Sequence, residues 1–378
     1  MKIRLEISPL ASKHQSGVAQ YTRLLAEALA KHNGNTTYGH YFDFLGRQPK
    51  PTLEESQIKL EPNRLIPLRV YAKLQSYGIA PAFDILPPFN KPPVDLAIFT
   101  NFATWPSLKT KKRATVVHDL TYMYYPEATD EKNLAHLRRV VPRTIKKADF
   151  VITVSESVKK ELEKELGLAP EKCIVTPIPP DEAFFTKKSN TEIKDALDKY
   201  KIPFEKYIYF IGNKEPRKNL IGLIAAYRAL PVKTKKEYGL VMAGGNGWKS
   251  EATNKALQDA IDAGENIKHI GFIDQTDSPA LYQGASLFVM PSLYEGFGMP
   301  ILEAFASNVN VLANDIPVLR ETGGDTAYYT NTTDIDRFSF DLNRCLGSPP
   351  KKNLSAQARR WSWSDNVQAI IESTERIK

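Results

Sequence analysis

The stretch Glu295-Gly-Phe-Gly-Met-Pro-Ile-Leu-Glu303 places one carboxylate on each side of a glycine-rich turn. Its glycines, Gly296 and Gly298, disfavour helix, whereas the proline that follows suits a first helical position. We therefore predict that Glu295 lies in a loop and that Glu303 lies about one turn into a helix. Such a helix start offers unpaired N–H groups to an anion, and the glycines allow close backbone approach. Backbone amides can bind the phosphates of a nucleotide sugar, and carboxylates can bind its hydroxyl groups, so this stretch suits such a ligand.

The residues before this turn support that interpretation. Ala285-Ser-Leu-Phe-Val-Met-Pro-Ser292 is typical of a buried strand that ends at a Pro-Ser break. In open α/β sheets, ligands bind outside the carboxyl ends of strands, where this loop would lie. By spacing alone, the two glutamates could be solvated residues of a tight turn or the acid pair of a glycoside hydrolase. The order of strand, loop and helix favours a ligand-binding loop instead.

The bulk composition is that of a two-domain globular protein. The chain has 378 residues, of which 42% are hydrophobic and 25% are charged, and this length exceeds one ordinary core. No apolar run has the length of a membrane-spanning helix, and the first residues are too charged for a signal peptide, so we expect a cytoplasmic protein. Cys173 and Cys345 are isolated, which favours two small core residues over a disulfide framework or a zinc site.

We expect no metal ion and no other cofactor. The six histidines form no pairs at metal-ligand spacing. Asp334-Ile-Asp336 has the DxD spacing of metal-bound nucleotide sugars, but it falls in a polar stretch and is predicted to be a surface turn.

The positive charge lies entirely in the first half of the chain. Residues 1–180 contain 26 lysines and arginines against 18 acidic residues, and the remainder contains 25 of each. Solvated surfaces would explain this excess, as would attraction to an anionic membrane leaflet or a lipid diphosphate. Nucleic acid is the weakest explanation, because no nucleic-acid-binding signature accompanies the charge. Much of the excess comes from Lys109, Lys111, Lys112, Arg113, Arg138, Arg139, Arg143, Lys146 and Lys147.

Alternating strand-like and helix-like runs predict two doubly wound parallel α/β domains. Strands are predicted at residues 2–7, 38–44, 94–100, 114–118, 150–154 and 173–178, and then at 207–212, 240–243, 267–273, 287–290 and 309–313. Consecutive prolines after residue 178 place the boundary between domains of residues 1–183 and 184–363. The proline-rich region 49–93 has no assigned role beyond a helix near residues 68–77.

Two further strand ends carry polar side chains. Gly212 ends an apolar strand, and the loop that follows contains Arg217 and Lys218, two cations that suit a diphosphate. His118 ends another apolar strand, where α/β proteins expose functional groups, although a lone histidine is often structural. Gly17 joins the first strand to the first helix and could approach a ligand closely. The segment around Gly17 lacks a GxGxxG fingerprint, so a dinucleotide site is not indicated.

These motifs together resemble the family 4 retaining glycosyltransferases, which have the GT-B fold. The resemblance covers nearly the whole chain and is most specific over residues 282–325, including the sub-pattern of bacterial mannosyl- and rhamnosyltransferases of surface polysaccharide synthesis. It implies two Rossmann-like domains with a cleft between them and a C-terminal helix, residues 364–378, that returns to the first domain.

The resemblance also implies roles for the residues above. Glu295 would contact the transferred sugar, Glu303 the ribose hydroxyls, and His118 the sugar from the N-terminal domain. The acceptor, a glycan or a polyprenyl-diphosphate-linked glycan, would lie near Gly17. GDP-mannose is the first donor we expect. The basic first half of the chain, rather than the resemblance, favours peripheral attachment to the inner face of a membrane. Arg217, Lys218 and the amides of Gly296, Phe297 and Gly298 would hold the donor's diphosphate. The other donor-binding residues that we expect are Gly212 and Asn213.

The sequence departs from the family pattern at two places, and two other functions are open to a chain with this fold. Asn213 stands where many members carry an arginine, a loss for which Arg217 would compensate, and Asn308-Val-Asn-Val311 replaces a usual Gly-x-Pro-Val. A nucleotide-sugar epimerase shares this two-domain fold and would need other acid and base residues. A sensor or inactive subunit would be expected to lack Glu303 or Lys218, and both are present.

Overall fold

A computed structural model describes residues 1–11, 16–43, 58–63, 66–79, 82 and 91–377. The chain forms two compact units. The first consists of Met1–Leu120, Glu131–Ile178 and Ser362–Lys378, and the second of Thr121–Asp130 and Pro179–Trp361. None of the described helices is both long enough and apolar enough to cross a membrane.

Each unit is built on a parallel sheet. The first sheet has the strand order β3-β2-β1-β4-β5-β6-β7 and the second has β10-β9-β8-β11-β12-β13. In chain order the strands are β1 Lys2–Glu6, β2 Thr36–Phe42, β3 Ile58–Asn63, β4 Val94–Phe99, β5 Thr110–Val117, β6 Phe150–Thr153, β7 Cys173–Val175, β8 Tyr207–Ile211, β9 Gly239–Ala243, β10 Ile267–Gly271, β11 Leu287–Met290, β12 Val311–Asn314 and β13 Tyr328–Thr330.

Helices form most of the described connections between the strands, as is usual for parallel pairing. In chain order they are α1 Gly17–Lys31, α2 Leu68–Ser76, α3 Thr121–Tyr124, α4 Glu131–Lys147, α5 Glu156–Leu166, α6 Asn190–Lys199, α7 Leu220–Arg228, α8 Val232–Glu237, α9 Glu251–Asp262, α10 Ser278–Gln283, α11 Met299–Ala306, α12 Pro317–Gly323, α13 Ile335–Cys345, α14 Leu354–Ala358 and α15 Trp363–Arg376.

Two inner strands of the second sheet are buried along their whole length, which explains their continuous apolar sequences. All four residues of β11 are buried, as are all five of β9. In the second unit, the sheet packs on helices through one core that includes Phe210, Leu223 and Val289. This core fixes the strands whose carboxyl ends carry the predicted site residues.

Two strands were missed by the sequence reasoning, and both lie at sheet edges. β3 contains Pro62, and only its first and last residues are buried, so it lacks the apolar run of a central strand. β13 has three residues. The prediction for residues 114–118 was also too short, because β5 begins at Thr110 in a cationic segment. The predicted helix at 68–77 is present as α2, whereas residue 44 of a predicted strand lies outside the described residues.

The division between the units differs from the predicted boundary at 183/184. It falls after Ile178, and Phe184, which therefore belongs to the second unit, packs edge-on against the Tyr282 ring at a centroid distance of 5.6 Å. Thr121–Asp130, which the prediction assigned to the first domain, also belongs to the second unit.

The final helix belongs to the first unit, as the resemblance implied. Ser362 caps it by accepting a hydrogen bond from the Asp365 N–H. The Asn366 side chain donates to the Pro177 carbonyl at 2.7 Å, and the Trp363 ring lies 5.7 Å from the Tyr21 ring of α1. These contacts anchor the helix on α1 and on the segment after β7.

Candidate active site

The glycine-rich turn after β11 has a backbone that requires glycine. Gly298 adopts φ +95° immediately before α11, and a Cβ there would lie 2.8 Å from the Leu319 side chain. The Thr322 hydroxyl donates to the Phe297 carbonyl, and the Phe297 ring packs against Trp361 at 5.5 Å. The predicted order of strand, loop and helix is confirmed, with α11 beginning at Met299.

Glu303 lies one turn into α11 and is only 5% exposed. The Tyr282 hydroxyl donates to its Oε2 at 2.9 Å. Burial, together with the charge of Glu303, raises the pKa of Tyr282 well above its ordinary value, so the tyrosine remains a donor. The phenol therefore orients one carboxylate oxygen of Glu303.

Glu295 lies in the loop and is 8% exposed. Its Oε1 accepts from the Lys218 ammonium at 2.5 Å and its Oε2 from Arg217 Nη1 at 3.1 Å. Burial alone would raise the pKa of Glu295, but the charges of Lys218 and Arg217 outweigh it and lower the pKa to about 2. The structure thus brings three predicted site residues together as an ion-paired cluster, with Glu215 as a further partner of Arg217 at 2.8 Å.

Tyrosines from a distant segment support the Glu295 loop, and the sequence reasoning missed them. The Tyr124 ring stacks on Tyr294 at 5.5 Å with an interplanar angle of 26°. The Tyr125 hydroxyl donates to the Leu293 carbonyl at 3.4 Å. Both residues belong to Thr121–Asp130, which packs with the second unit. The available signal was the tyrosine-rich sequence Tyr122-Met-Tyr-Tyr125, shortly after His118.

Gly212 and Asn213 lie where the loop after β8 meets the loop after β9. Gly244 has φ +122°, and a Cβ on it would lie 2.1 Å from the Gly212 carbonyl oxygen, so the two backbones pack directly. Asn213 Oδ1 accepts from the Gly245 N–H at 3.3 Å. Both predicted donor-binding residues therefore have structural contacts within the protein, and their contact with a ligand stays a prediction.

His118 lies at the carboxyl end of β5 in the first unit and is buried. Its Nε2 lies 2.8 Å from the Thr100 carbonyl oxygen. Because a carbonyl only accepts, Nε2 carries the proton and Nδ1 of the neutral ring is an acceptor. Burial lowers the pKa of His118 against the opposing effects of this hydrogen bond and of Asp119, so the ring is neutral near pH 7.

A buried carboxylate shares Thr100 with His118. The Thr100 hydroxyl donates to Glu6 Oε2 at 3.1 Å, and the Ser8 N–H donates to Glu6 Oε1 at 2.8 Å. Burial raises the pKa of Glu6, and these hydrogen bonds oppose the rise. The sequence reasoning missed Glu6, although a glutamate that ends an apolar strand was a signal. Thr100 thus connects the Glu6 carboxylate and the His118 ring at the carboxyl-terminal ends of neighbouring strands in the first sheet.

Two further predictions concern Gly17, a candidate acceptor-site residue, and Asp334, part of a DxD sequence that we did not expect to bind metal. Gly17 is the exposed first residue of α1, and no atom lies within 4 Å of a Cβ built on it. Its role at an acceptor site stays a prediction. Asp334 caps α13 by accepting from the Arg337 N–H, and Asp336 lies in the first turn of that helix, so the predicted surface turn is instead the exposed start of a helix. The structure shows no cluster of three potential metal-ligating side chains within the described residues.

Two family models match the two halves of the sequence. The model for group 1 glycosyl transferases matches residues 192–361, and the model for glycosyltransferase family 4 matches residues 15–183. This chain belongs to the glycosyltransferases. The first match contains the ion-paired cluster around Glu295, and the second contains His118.

Two bacterial relatives agree with that assignment, and a solved structure of another protein has the same fold as this glycosyltransferase. This glycosyltransferase is 28% identical over 270 residues to the O-antigen chain mannosyltransferase B of Escherichia coli, a match covering 70% of each chain. It is 27% identical over 241 residues to the O-antigen chain mannosyltransferase RfbU of Salmonella typhimurium, covering 63% of this chain and 61% of the relative. A sucrose-phosphate synthase from Thermosynechococcus elongatus superposes with a TM-score of 0.74 at 18% identity, covering 100% and 98% of the two chains. The predicted GT-B fold is confirmed.

Proposed function

We propose that this glycosyltransferase moves a mannosyl group from GDP-mannose to a glycan or to a polyprenyl-diphosphate-linked glycan, with retention of anomeric configuration. The names of the two bacterial relatives support mannose as the sugar. The observation that carries the proposal is the convergence of Arg217, Lys218 and Glu295 beside the start of α11. Two cations and a glycine-rich helix start suit a diphosphate, and nearby carboxylates suit hydroxyl groups.

The donor's diphosphate is assigned to Arg217 and Lys218. The guanidinium can bind two phosphate oxygens at once, whereas the ammonium acts as a point charge. The N–H groups of Gly296, Phe297 and Gly298 add donors at the start of α11. These groups stabilise the negative charge that develops on the leaving nucleotide, so we propose that transfer needs no metal ion.

The two glutamates are assigned different hydroxyl groups. Glu303, with one oxygen oriented by Tyr282, accepts from the ribose hydroxyls. Glu295 accepts from hydroxyls of the transferred sugar after the diphosphate has taken over its cations. His118 uses Nδ1 to accept from a further sugar hydroxyl, since its Nε2 proton is engaged by Thr100. Two carboxylates and a neutral imidazole are hydrogen-bond acceptors of the kind that a hexose requires.

In the proposed reaction, the leaving phosphate accepts the acceptor's proton, so no separate protein base is needed. The acceptor hydroxyl oxygen forms a bond to the anomeric carbon on the face from which the phosphate departs. The bond between that carbon and the phosphate oxygen breaks, and the acceptor's proton moves to the leaving phosphate. In this scheme Glu295 positions the sugar and stabilises positive charge on it, and no covalent glycosyl-enzyme forms.

We also propose peripheral attachment to an anionic membrane surface through the first unit. Helix α4 carries exposed cations close to two exposed apolar side chains, Tyr77 at 60% and Ile79 at 68% exposure. The Arg139 guanidinium lies 5.6 Å from the centroid of the Tyr77 ring. Cations beside exposed aromatic and aliphatic groups suit an anionic lipid interface. The exposed cations of α4 in this region are Arg138, Arg139, Arg143, Lys146 and Lys147.

A donor panel tests the enzymatic proposal. The protein is mixed separately with GDP-mannose, UDP-glucose, UDP-N-acetylglucosamine and dTDP-rhamnose, and the thermal shift and nucleotide release are followed. We expect the largest shift and the fastest release with GDP-mannose. A response to another donor only would overturn the mannosyl assignment, and no response to any nucleotide sugar would contradict the proposed activity as a whole.

A further inference from the structure

The imidazole ring of His118 is held from several sides within the first unit. Its Nε2 donates to the Thr100 carbonyl at 2.8 Å. The Tyr21 ring of α1 meets it nearly at a right angle, with the ring centroids 5.0 Å apart and the planes at 84°. The Phe102 ring lies 5.9 Å away, with the planes at 74°. The hydrogen bond fixes one nitrogen, and the two aromatic rings limit rotation of the imidazole about that bond.

Phe102 keeps its place with a strained backbone. Its φ is +56°, in the left-handed region that a phenylalanine rarely adopts. Its N–H donates to the Val116 carbonyl at 3.0 Å, two residues before His118 in the chain. A residue in such a conformation persists only where the surrounding contacts determine it. The segment after β4 is therefore fixed against the end of β5.

Tyr21 is fully buried and is itself anchored at two further points. Its hydroxyl lies 3.2 Å from the hydroxyl oxygen of Thr176, in the segment after β7. Its ring lies 5.7 Å from the ring of Trp363, at the start of α15. The Asn366 side chain ties that helix to the Pro177 carbonyl, the residue after Thr176. Tyr21 therefore joins the final helix to the His118 ring.

Tyr21 also keeps water and charge away from one side of the imidazole. Burial raises the pKa of Tyr21, so the phenol is neutral. Asp119 follows His118 in the chain, and Glu6 of β1 is joined to it through Thr100. Burial outweighs the effect of Asp119 and lowers the pKa of His118. A smaller side chain at position 21 would admit water beside the ring, and the pKa of His118 would then rise toward its ordinary value of 6.5.

We infer that Tyr21 is a positioning residue for His118, and that Trp363 keeps Tyr21 in place. This inference rests on the proposed function, since it concerns the histidine that we assign to the transferred sugar. To accept a hydrogen bond through Nδ1, the imidazole must be both neutral and fixed. A displacement of about 1 Å in such a group can reduce a rate by about a hundredfold. Helix α15 thus acts on the reaction without contacting the substrate.

The test compares Tyr21→Leu, Tyr21→Phe and Trp363→Leu with the matched control Tyr71→Leu. Tyr71 is a fully buried tyrosine of the same unit, whose ring packs on Phe42. NMR titration of the unliganded protein measures the pKa of His118, whose signal is identified by its loss in His118→Gln. We expect this pKa to rise in Tyr21→Leu and, by a smaller amount, in Trp363→Leu. It should equal the wild-type value in Tyr21→Phe, which keeps the ring, and in Tyr71→Leu.

Turnover at saturating donor gives the second readout, as nucleotide release from the sugar nucleotide that the wild type uses. Tyr21→Leu should lower kcat by about tenfold or more. It should also move the acid limb of the pH–rate profile to higher pH, because a raised pKa of His118 leaves less neutral imidazole at low pH. Tyr21→Phe should retain most of kcat, and Tyr71→Leu should match the wild type.

A pKa of His118 equal to the wild-type value in both Tyr21→Leu and Trp363→Leu would overturn the inference. A loss of kcat as large in Tyr71→Leu as in Tyr21→Leu would also overturn it, since both would then reflect a weakened fold. If Tyr21→Leu does not fold, Trp363→Leu decides through the same two measurements. A wild type that releases nucleotide from no sugar nucleotide would contradict the proposed function, and the NMR titration would still decide whether Tyr21 and Trp363 position His118.

Discussion

The ammonium of Lys218 lies 2.5 Å from Oε1 of Glu295. The cation that we assign to the donor's diphosphate is therefore held by the carboxylate that we assign to the transferred sugar. Arg217 contacts the other oxygen of the same carboxylate at 3.1 Å. It follows that donor binding exchanges one anion for another at these two cations, and that Glu295 becomes available to the sugar only when the phosphates arrive.

Replacement of Lys218 should reduce turnover more than donor binding. Lys218→Ala removes a charge that stabilises the leaving phosphate, so the barrier should rise by about 2–4 kcal/mol. Turnover at saturating donor measures this effect, with Lys255→Ala on the exposed face of α9 as the control. Unchanged turnover would show that Lys218 does not act on the leaving group.

Replacement of Glu303 or of its tyrosine partner should act mainly on donor binding. Glu303→Ala is expected to raise the donor KM with a smaller change in kcat, since the ribose does not react. Tyr282→Phe should raise KM in the same direction by roughly fivefold, because it removes one hydrogen bond to Glu303. Steady-state kinetics with varied donor measures both variants, and a loss confined to kcat would contradict the ribose assignment.

Glu295 should stabilise the fold in a pH-dependent manner. Its folded pKa, about 2, lies below the ordinary value of 4.5, so its contribution is fully present above about pH 5 and is lost as the pH falls toward 2. Glu295→Gln should therefore lower the free energy of unfolding by about 3 kcal/mol at pH 7 and by progressively less between pH 5 and pH 3. Urea unfolding at each pH measures the difference. A difference that is constant over this range would contradict the ion pair.

Binding to anionic vesicles should depend on the exposed cations of α4. Vesicles that contain phosphatidylserine should retain the protein at low salt and release it as the ionic strength rises, because screening weakens the attraction. The triple variant Arg138→Ser, Arg139→Ser, Arg143→Ser should bind more weakly than a variant with three exposed lysines of the second unit replaced, Lys187, Lys233 and Lys255. Equal retention of the two triple variants in a flotation assay would contradict the assigned surface.

The parts of the site that were predictable are those encoded by adjacent residues. Strand β11, its glycine loop and the start of α11 follow from one continuous stretch, in which an apolar run, two glycines and a proline each favour the same local structure. The loop with Arg217 and Lys218 likewise follows directly from a strand. Local propensity predicts each strand and its loop, and the parallel fold places both loops at the carboxyl-terminal ends of the strands.

The contacts between these parts were not predictable, because they join residues that are distant in sequence. Lys218 and Glu295 are 77 residues apart, and a pattern along the chain contains no information on which carboxylate a cation selects. The stacking of Tyr124 on Tyr294 depends on a segment that leaves one unit and packs with the other. The path from Glu6 through Thr100 to His118 depends on the neighbouring positions of β1, β4 and β5 in the first sheet.

The exchange of Glu295 for the diphosphate is tested most directly by the affinity of Glu295→Gln for the nucleoside diphosphate. Without the competing carboxylate, Lys218 no longer pairs with an anion in the unliganded protein, whereas Arg217 keeps its pairing with Glu215. The variant should therefore bind the diphosphate several-fold more tightly than the wild type while its turnover falls. Calorimetry and a nucleotide-release assay on the same preparation measure the two quantities. Weaker diphosphate binding by Glu295→Gln than by the wild type would contradict the account.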